Sequence, residues 1–548
     1  MLKYHKLYIF LTDAGYAQLE LSPRVVRTQL KYDISSNTEA SLNETVHLLI
    51  TANATSPPLT NQITLVLERG VLLADNSYRF RIEATNTQGH TGYAEIDIHT
   101  ASVPLSGSFD IQPARGSPLD TRFSLRALWW TDDIGDMPLS YQFGFHYPQE
   151  QDVQWLNGLL DQNVISSVLP LPHWLNNSVN LVLQIYDNKG ALTRHEASVV
   201  LEYNKNDSNN SIDIIRLMKT IECMSLVDGN WIEGLAHLTA LTLSQHRYPN
   251  EFDPTELQIF KGRAINLLIE LYRSSIPTSK SFLNQLLSLM FQVTYQLELT
   301  TNTVEQVLVI LESVVDTYNS FSEMSVFSKP GFSEDEANLV FGTYANLITA
   351  NSQGESTRLV SDNITNSLLN VVPILGYGMC KQLGVGERNA FTFAENFGSL
   401  KSSQINPPRM YNAAMSYESC PYKRNGTIYI DFTNRLFRQY LQWPCRTESE
   451  SQCSGVCITS AQFRQDMRWQ GSLYSSYTKT PFLHVTLANP TNGSVLQIQD
   501  LQSSPVVISF PITSDPSNLN HLECVHWSKT LNAWSPQGCT TDIVSKLL

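Results

Sequence analysis

Asp132, Asp133 and Asp136 form the densest group of hard oxygen donors in the chain. Carboxylates at such short spacing suit Ca²⁺, which takes oxygen ligands from flexible loops. Asp132-x-x-x-Asp136 with Gly135 departs from the EF-hand register, however. Aspartates in turns also cap backbone amides. The cluster is therefore read as a solvated β-turn, and no metal ligand is assigned. The other chemistry-bearing side chains are the eight cysteines Cys223, Cys380, Cys420, Cys445, Cys453, Cys457, Cys524 and Cys539. None forms a C-x-x-C pair, which removes support for zinc ribbons and thioredoxin chemistry. The six after residue 400 (Cys420, Cys445, Cys453, Cys457, Cys524 and Cys539) are the disulfide candidates. Such clustering fits local bridges in one subdomain of an oxidising compartment. Cys420, Cys445, Cys453 and Cys457 are four thiols that would suit a metal, but no histidine lies near them, and disulfides are the preferred reading. Their pairing stays open, because four cysteines allow three connectivities.

Catalytic constellations are missing from the sequence. There is no Gly-x-Ser-x-Gly elbow, P-loop or His-Glu-x-x-His, and His195-Glu196 lacks a second histidine four residues on. The twelve histidines show no ligand spacing. No catalytic residue and no cofactor is assigned. Of the pair Trp129 and Trp130, strand alternation places one inward, and Trp130 is expected in the core. N-glycosylation sequons occur at Asn43, Asn53, Asn176, Asn206, Asn209, Asn363, Asn425 and Asn492. The net charge of -14 and the absence of a basic stretch exclude a nucleic-acid footprint. Charged residues are only 16% of the chain, below the ~25% of ordinary globular proteins, as in Ser/Thr/Asn-rich extracellular β-modules. Lys3 and Lys6 precede an apolar run of only Leu7 to Leu11. That run is shorter than the ~7–15 residues of a signal peptide core. No window approaches the ~20 apolar residues of a membrane span.

The elements that must hold these residues follow from periodicity. Ile63, Leu65 and Leu67 alternate with polar neighbours, as do Tyr78, Phe80, Ile82 and Ala84. Asn86 to Gly89 supplies a turn, and Tyr93 to Ile98 resumes the alternation, predicting a hairpin that closes a β-sandwich. Tyr78 is expected at a sandwich corner, its hydroxyl bonded to nearby backbone. A second sandwich follows from Phe123/Leu125/Ala127, Tyr141/Phe143/Phe145 and Val179/Leu181/Leu183/Ile185, with a turn at Asp187-Asn188-Lys189-Gly190. Past residue 212 the period becomes helical. Asp253-Pro254-Thr255-Glu256 starts one helix, Asn302-x-x-Glu305 a second and Ser333-x-x-Glu336 a third. Strands return after about 390, with runs at Thr427 to Phe432, Leu483/Val485/Leu487 and Val506/Ile508/Phe510.

Two stretches carry a family resemblance. In order, Tyr78-x-Phe80-x-Ile82, Pro113-Ala114-Arg115-Gly116, Thr121-x-Phe123-x-Leu125, Trp130-x-Asp132-Asp133 and Pro138-Leu139-x-Tyr141-x-Phe143-Gly144 resemble the REJ module of sperm receptors for egg jelly and polycystin-like proteins. Cys524-x-x-Trp527 followed by Trp534-x-x-x-Gly538-Cys539 is similar to the first half of the GPS motif that closes a GAIN domain. Gly493 to Leu496 and Ser504 to Ile508 look like the strands before it. A complete GPS motif continues past the second cysteine to a cut site. Only Thr540 to Leu548 follow Cys539, so the resemblance implies a chain that does not cleave itself and a fragment or truncated gene model.

The expected fold class is multidomain: all-β sandwiches of fibronectin III/PKD-like kind, then an α-helical subdomain and a β-sandwich in GAIN-like order. The expected divisions are 1–102, a fibronectin III-like sandwich, and 103–204, a second sandwich, together the REJ module. A polar linker follows at 205–211, then a GAIN-A-like helical subdomain at 212–380 and a GAIN-B-like sandwich with a truncated GPS motif at 381–548. The resemblance implies a non-enzymatic, glycosylated extracellular region of a multi-pass membrane receptor or channel subunit. Its partner would be an extracellular protein or glycan, its role adhesion, ligand or mechanical sensing, linked to calcium signalling. The alternatives are a secreted adhesion protein without an anchor and a secreted carbohydrate-active enzyme. The enzyme would need a carboxylate pair in a cleft, and no acid pair stands out.

Overall fold

In the computed structural model the described residues are 7–11, 17–21, 29–36, 63–66, 73–85, 91–147, 153–172, 177–202, 212–274, 280–295, 301–320, 331–353, 358–381, 383, 390–394, 398–405, 415–418, 429–432, 456–463, 482–489, 493–495, 507–509, 526–528 and 533–535. The chain begins with strands β1 (Leu7–Leu11), β2 (Ala17–Leu21), β3 (Gln29–Ser36), β4 (Ile63–Val66), β5 (Ser77–Thr85) and β6 (Thr91–His99). They form two antiparallel sheets, β1-β2-β4 and β3-β5-β6. The expected β5–β6 hairpin is present, with Thr85 opposite Thr91; its turn at Asn86 to Gly89 lies outside the described residues. Leu67 also lies outside them. Tyr78 and Phe80 are buried, and the Leu73 N–H donates to the Tyr78 hydroxyl at 2.7 Å, the corner bond predicted for this tyrosine.

The second sandwich contains β7 (Ser108–Gln112), β8 (Arg115–Gly116), β9 (Phe123–Leu128), β10 (Ser140–His146), β11 (Gln154–Trp155), β12 (Val164–Ser167), β13 (Ser178–Tyr186) and β14 (Leu192–Leu201). Its sheets run β12-β9-β7 and β11-β10-β13-β14-β8. Inward residues of both sheets share one core: Phe123 and Leu125 of β9 meet Phe143 and Phe145 of β10 and Leu181, Leu183 and Ile185 of β13. The alternating pattern read from sequence is the burial pattern here, since successive strand residues face opposite sides. In both sandwiches the first, second and fourth long strands form one sheet and the third, fifth and sixth the other, the fibronectin type III-like arrangement.

Helices follow: α1 (Ile214–Glu222), a π-helical turn at Cys223–Val227, α2 (Trp231–Arg247), α3 (Pro254–Arg273), α4 (Lys280–Thr294), α5 (Thr301–Ser320), α6 (Glu334–Gln353) and α7 (Arg358–Lys381). The α3 start is as predicted: Asp253 accepts from the backbone N–H groups of Thr255 and Glu256, and Pro254 occupies the first turn. At α6 the reciprocal box forms, with Ser333 N–H on Glu336 Oε2 at 2.8 Å and Glu336 N–H on Ser333 Oγ at 3.2 Å. Asn302 differs from expectation, because α5 already begins at Thr301 and Asn302 lies within its first turn. The α5 stripe Val304, Val307, Leu308, Leu311, Val314, Val315 and Tyr318 is buried throughout.

The helical core reaches beyond the helices at both ends. Leu119, Val168 and Leu171 of the second sandwich join it, as do Leu400, Ala461 and Phe463 of the later strands. Polar contacts seal the first of these contacts: Leu171 N–H donates to Ser244 Oγ (3.0 Å), Gln285 Nε2 to Leu156 O (2.7 Å), and the Arg247 guanidinium lies 3.9 Å over the Tyr147 ring. The expected linker at 205–211 lies outside the described residues. The helices nevertheless pack directly on the preceding sandwich.

The last strands are β15 (Ala390–Ala394), β16 (Gly398–Ile405), β17 (Met415–Glu418), β18 (Tyr429–Phe432), β19 (Val456–Phe463), β20 (Phe482–Ala488), β21 (Val507–Ser509), β22 (His526–Ser528) and β23 (Ala533–Ser535). They form sheets β15-β16-β19-β20, β17-β18-β21 and β22-β23. All of β19 is buried. Helix α7 approaches so closely that a Cβ at Gly376 would collide with the Thr459 side chain, and Ser402 Oγ donates to the Gly376 carbonyl at 2.7 Å. Turn residues Asn489 and Gly493 close on each other, Gly493 N–H to Asn489 O at 2.8 Å, with Gly493 at φ 71°. Among the described residues no helix is long and apolar enough to cross a membrane.

Candidate functional site

The acidic cluster of the sequence lies between β9 and β10, in a loop that includes a single 3₁₀ turn, Ile134–Asp136. Opposite it is the β13–β14 turn, because Ser140 at the start of β10 pairs with Tyr186 at the end of β13. One ligand oxygen from each of Asp132, Asp133 and Asp136 can be chosen so that all lie within 4.8 Å of one another. The reading of this cluster as a solvated turn needs correction. Asp133 is exposed, but Asp136 is only 3% exposed, and Asn188 of the facing turn bonds to the backbone around it. Asn188 N–H donates to Asp136 O (2.9 Å), and Asn188 Nδ2 donates to Gly135 O (3.2 Å) and Met137 O (2.7 Å).

A fourth carboxylate, Asp187, lies in that turn. Asp187 is 1% exposed. Its Oδ1 accepts from Lys189 N–H (2.8 Å) and Ala191 N–H (2.7 Å), which fixes the turn, with Gly190 at φ 87°. Burial pushes the Asp187 carboxyl above the usual carboxylate range; the two backbone bonds oppose the rise, and the charges of Asp132 and Asp136 add to it. Lys189 places its ammonium against Asp136 Oδ1, and the bond to that carboxylate holds the ammonium's proton more tightly than usual. Ser102, on the connector between the sandwiches, donates to Asp132 Oδ1 (3.1 Å) and Asp133 Oδ2 (3.3 Å). The connector is pinned further by two backbone bonds between Leu105 and Thr131, at 2.9 and 3.1 Å. Sequence reasoning missed Asp187 as a member of this group. It reads locally as a turn residue, and only the β10–β13 register brings it to residues some fifty positions earlier.

Trp130 lies in the core as expected, its Nε1 donating to Ser108 O at 3.2 Å, while Trp129 is 77% exposed at φ 58°. Of the disulfide candidates, Cys457 is bonded, but its partner is Cys380 on the last turn of α7, 77 positions earlier. The expected confinement of disulfides to a local cluster after residue 400 is corrected to that extent. The bond is possible because β19 runs against α7 with the two Cα atoms 5.9 Å apart. Cys420, Cys445, Cys453, Cys524 and Cys539 lie outside the described residues, and Cys223 is an exposed free thiol. The GPS-like tryptophans Trp527 and Trp534 are cross-strand partners in the β22–β23 hairpin. Among the sequon residues Asn363 is described, half-buried inside α7. Asn43, Asn53, Asn176, Asn206, Asn209, Asn425 and Asn492 lie outside the described residues.

The strand order defines a modular protein built on tandem fibronectin type III-like sandwiches. More specifically, residues 22–230 match the family described as the REJ domain. The match begins just after β2, takes in β3–β14 and α1, and ends at the residue before α2. No curated protein matches the chain by sequence. Solved structures with local likeness include murine CEACAM1b, 16% identical over 34% of this chain and 92% of that one, at a TM-score of 0.16. A two-domain fibronectin type III segment of chicken tenascin is 14% identical over 36% of this chain and 98% of that one, at a TM-score of 0.14. A β-1,2-glucanase from Parabacteroides distasonis is 8% identical over 67% of this chain and 53% of that one, at a TM-score of 0.13. Likeness at these TM-scores carries neither fold nor function.

Proposed function

We propose that this chain is the extracellular, non-catalytic region of a polycystin-like multi-pass receptor or channel subunit. It serves in adhesion, ligand or mechanical sensing, coupled to calcium signalling. The observation that carries this reading is the REJ domain match over residues 22–230, which covers β3–β6 of the first sandwich and all of the second. The helices α1–α7 and the following strands are then the two halves of a GAIN-like region. Their order and the paired tryptophans of the β22–β23 hairpin support this assignment. The partner is an extracellular protein or glycan, met by the exposed loops of the sandwiches.

The test is topological. An antibody against the chain should label intact cells before permeabilisation, and the parent transcript should continue past Leu548 into hydrophobic spans. Labelling that needs permeabilised cells would defeat the extracellular reading. A parent transcript without any membrane-spanning segment would favour the unanchored adhesion protein.

A further inference from the structure

Two carboxylate oxygens beside the acidic loop are buried and accept no hydrogen bond: Asp132 Oδ2 and Asp187 Oδ2. A buried, unpaired charged oxygen is costly, and proteins resolve it by pairing, by protonation or by binding a metal. The Asp187 side chain is almost fully enclosed, its other oxygen already spent on the turn amides, and the charges it feels most from other residues are those of Asp132 and Asp136. Asp136 is equally enclosed, and its Oδ1 is ion-paired with the half-exposed Lys189 ammonium. Three carboxylates whose oxygens can lie within 4.8 Å of one another thus sit beside the turn of Asp187, whose carboxyl feels the charges of Asp132 and Asp136, and Lys189 is the cation paired with Asp136.

We propose that Asp132, Asp133, Asp136 and Asp187 bind one calcium ion at the end of the second sandwich, next to the connector from the first. Hard oxygens are the only donors present, which excludes soft-ligand metals. The donors come from two irregular loops rather than an octahedral frame. Such a set suits Ca²⁺, which takes six to eight oxygens in flexible geometry, over Mg²⁺, which demands near-ideal octahedra. Because Ser102 is bonded to two of the ligating residues, the ion also fixes the connector's point of attachment. The site is a property of the sandwich and stands whether or not the receptor reading holds.

The experiment is calorimetric titration of CaCl2 into the full chain stripped with a chelator, with the thermal midpoint followed in parallel. One ion should bind per chain, with affinity in the roughly 10⁻⁴–10⁻³ M range of extracellular modules or tighter, and raise the midpoint. Asp187→Asn keeps the oxygen that holds the turn and removes the charge. Asp133→Asn lies at an exposed position where folding is not at stake. Each should weaken binding by about tenfold or more, since ligand charge sets the affinity of such sites. No heat and no midpoint shift at millimolar calcium with a folded chain would overturn the site. So would calcium binding that neither variant weakens, and equal binding of MgCl2 would overturn the choice of ion.

Discussion

Cys380 at the end of α7 and Cys457 on β19 are joined by a disulfide that closes a loop of 77 residues between the helices and the strands after them. Both cysteines are fully buried. Cross-linking so long a loop removes entropy from the unfolded chain worth about 4 kcal/mol by the loop-closure relation. Replacing both with alanine should therefore lower the unfolding free energy, read by urea titration, of the unit that holds α7 and β19 by an amount of that order. A double variant as stable as the parent would show that packing alone holds α7 on β19.

Tyr78 makes the corner bond that Leu73 N–H donates across the start of β5. Its ring is buried and its hydroxyl reaches the backbone, so Tyr78→Phe keeps the packing and deletes one hydrogen bond. The expected loss is about 1 kcal/mol, the net worth of a typical intramolecular bond. Chemical denaturation monitored on the first sandwich measures it. A neutral substitution would mean that water replaces the phenol without cost.

Much of this fold was legible because burial imposes a period on the sequence. Val179, Leu181, Leu183 and Ile185 predict β13, and Leu257, Phe260, Ala264, Leu268 and Leu271 predict the inner face of α3; all are buried as read. The failures share one cause: a long-range relationship with no local signature. Cys380 stands apart from the cysteine-rich end, and only the packing of α7 on β19 makes it a partner. Asp187 looks like any turn aspartate until sheet register brings its turn against Asp136. Asn302 shows the opposite error, a local capping-box signal that falls inside the first turn of α5.

The α6 box offers a cleaner test of local coding. Ser333 and Glu336 exchange hydrogen bonds at the helix start, and Glu336 also accepts from Asn284 Nδ2 on α4 at 2.9 Å. Ser333→Ala removes only the cap and should cost about 1 kcal/mol. Glu336→Ala should cost more, because it also leaves the Asn284 amide and the neighbouring Lys280 ammonium without their carboxylate. Denaturation of the two variants side by side checks the ranking, and equal losses would mean that the link to α4 contributes nothing.

His237 on α2 supplies a pH dependence whose sign is fixed by burial. Its Nδ1 lies 2.7 Å from the Glu233 carbonyl, so the ring carries its hydrogen there and leaves Nε2 buried without a hydrogen-bond partner. Burial is the main reason its pKa falls from 6.5 to about 4; the bond to Glu233 opposes the fall and the charge of Arg122 adds to it. The unfolded chain takes up this proton near 6.5 and the folded chain only near 4, so between them the unfolded state holds more protons. Stability from this group is complete above 6.5, declines as pH drops through that window, and is fully lost below about 4, a total of roughly 3 kcal/mol. His237→Gln keeps a donor for Glu233 O and cannot titrate, so its stability should fall less between pH 7 and pH 4.5 than that of the parent. Urea midpoints at the two pH values decide the matter: equal falls in parent and variant would assign the acid sensitivity to other groups.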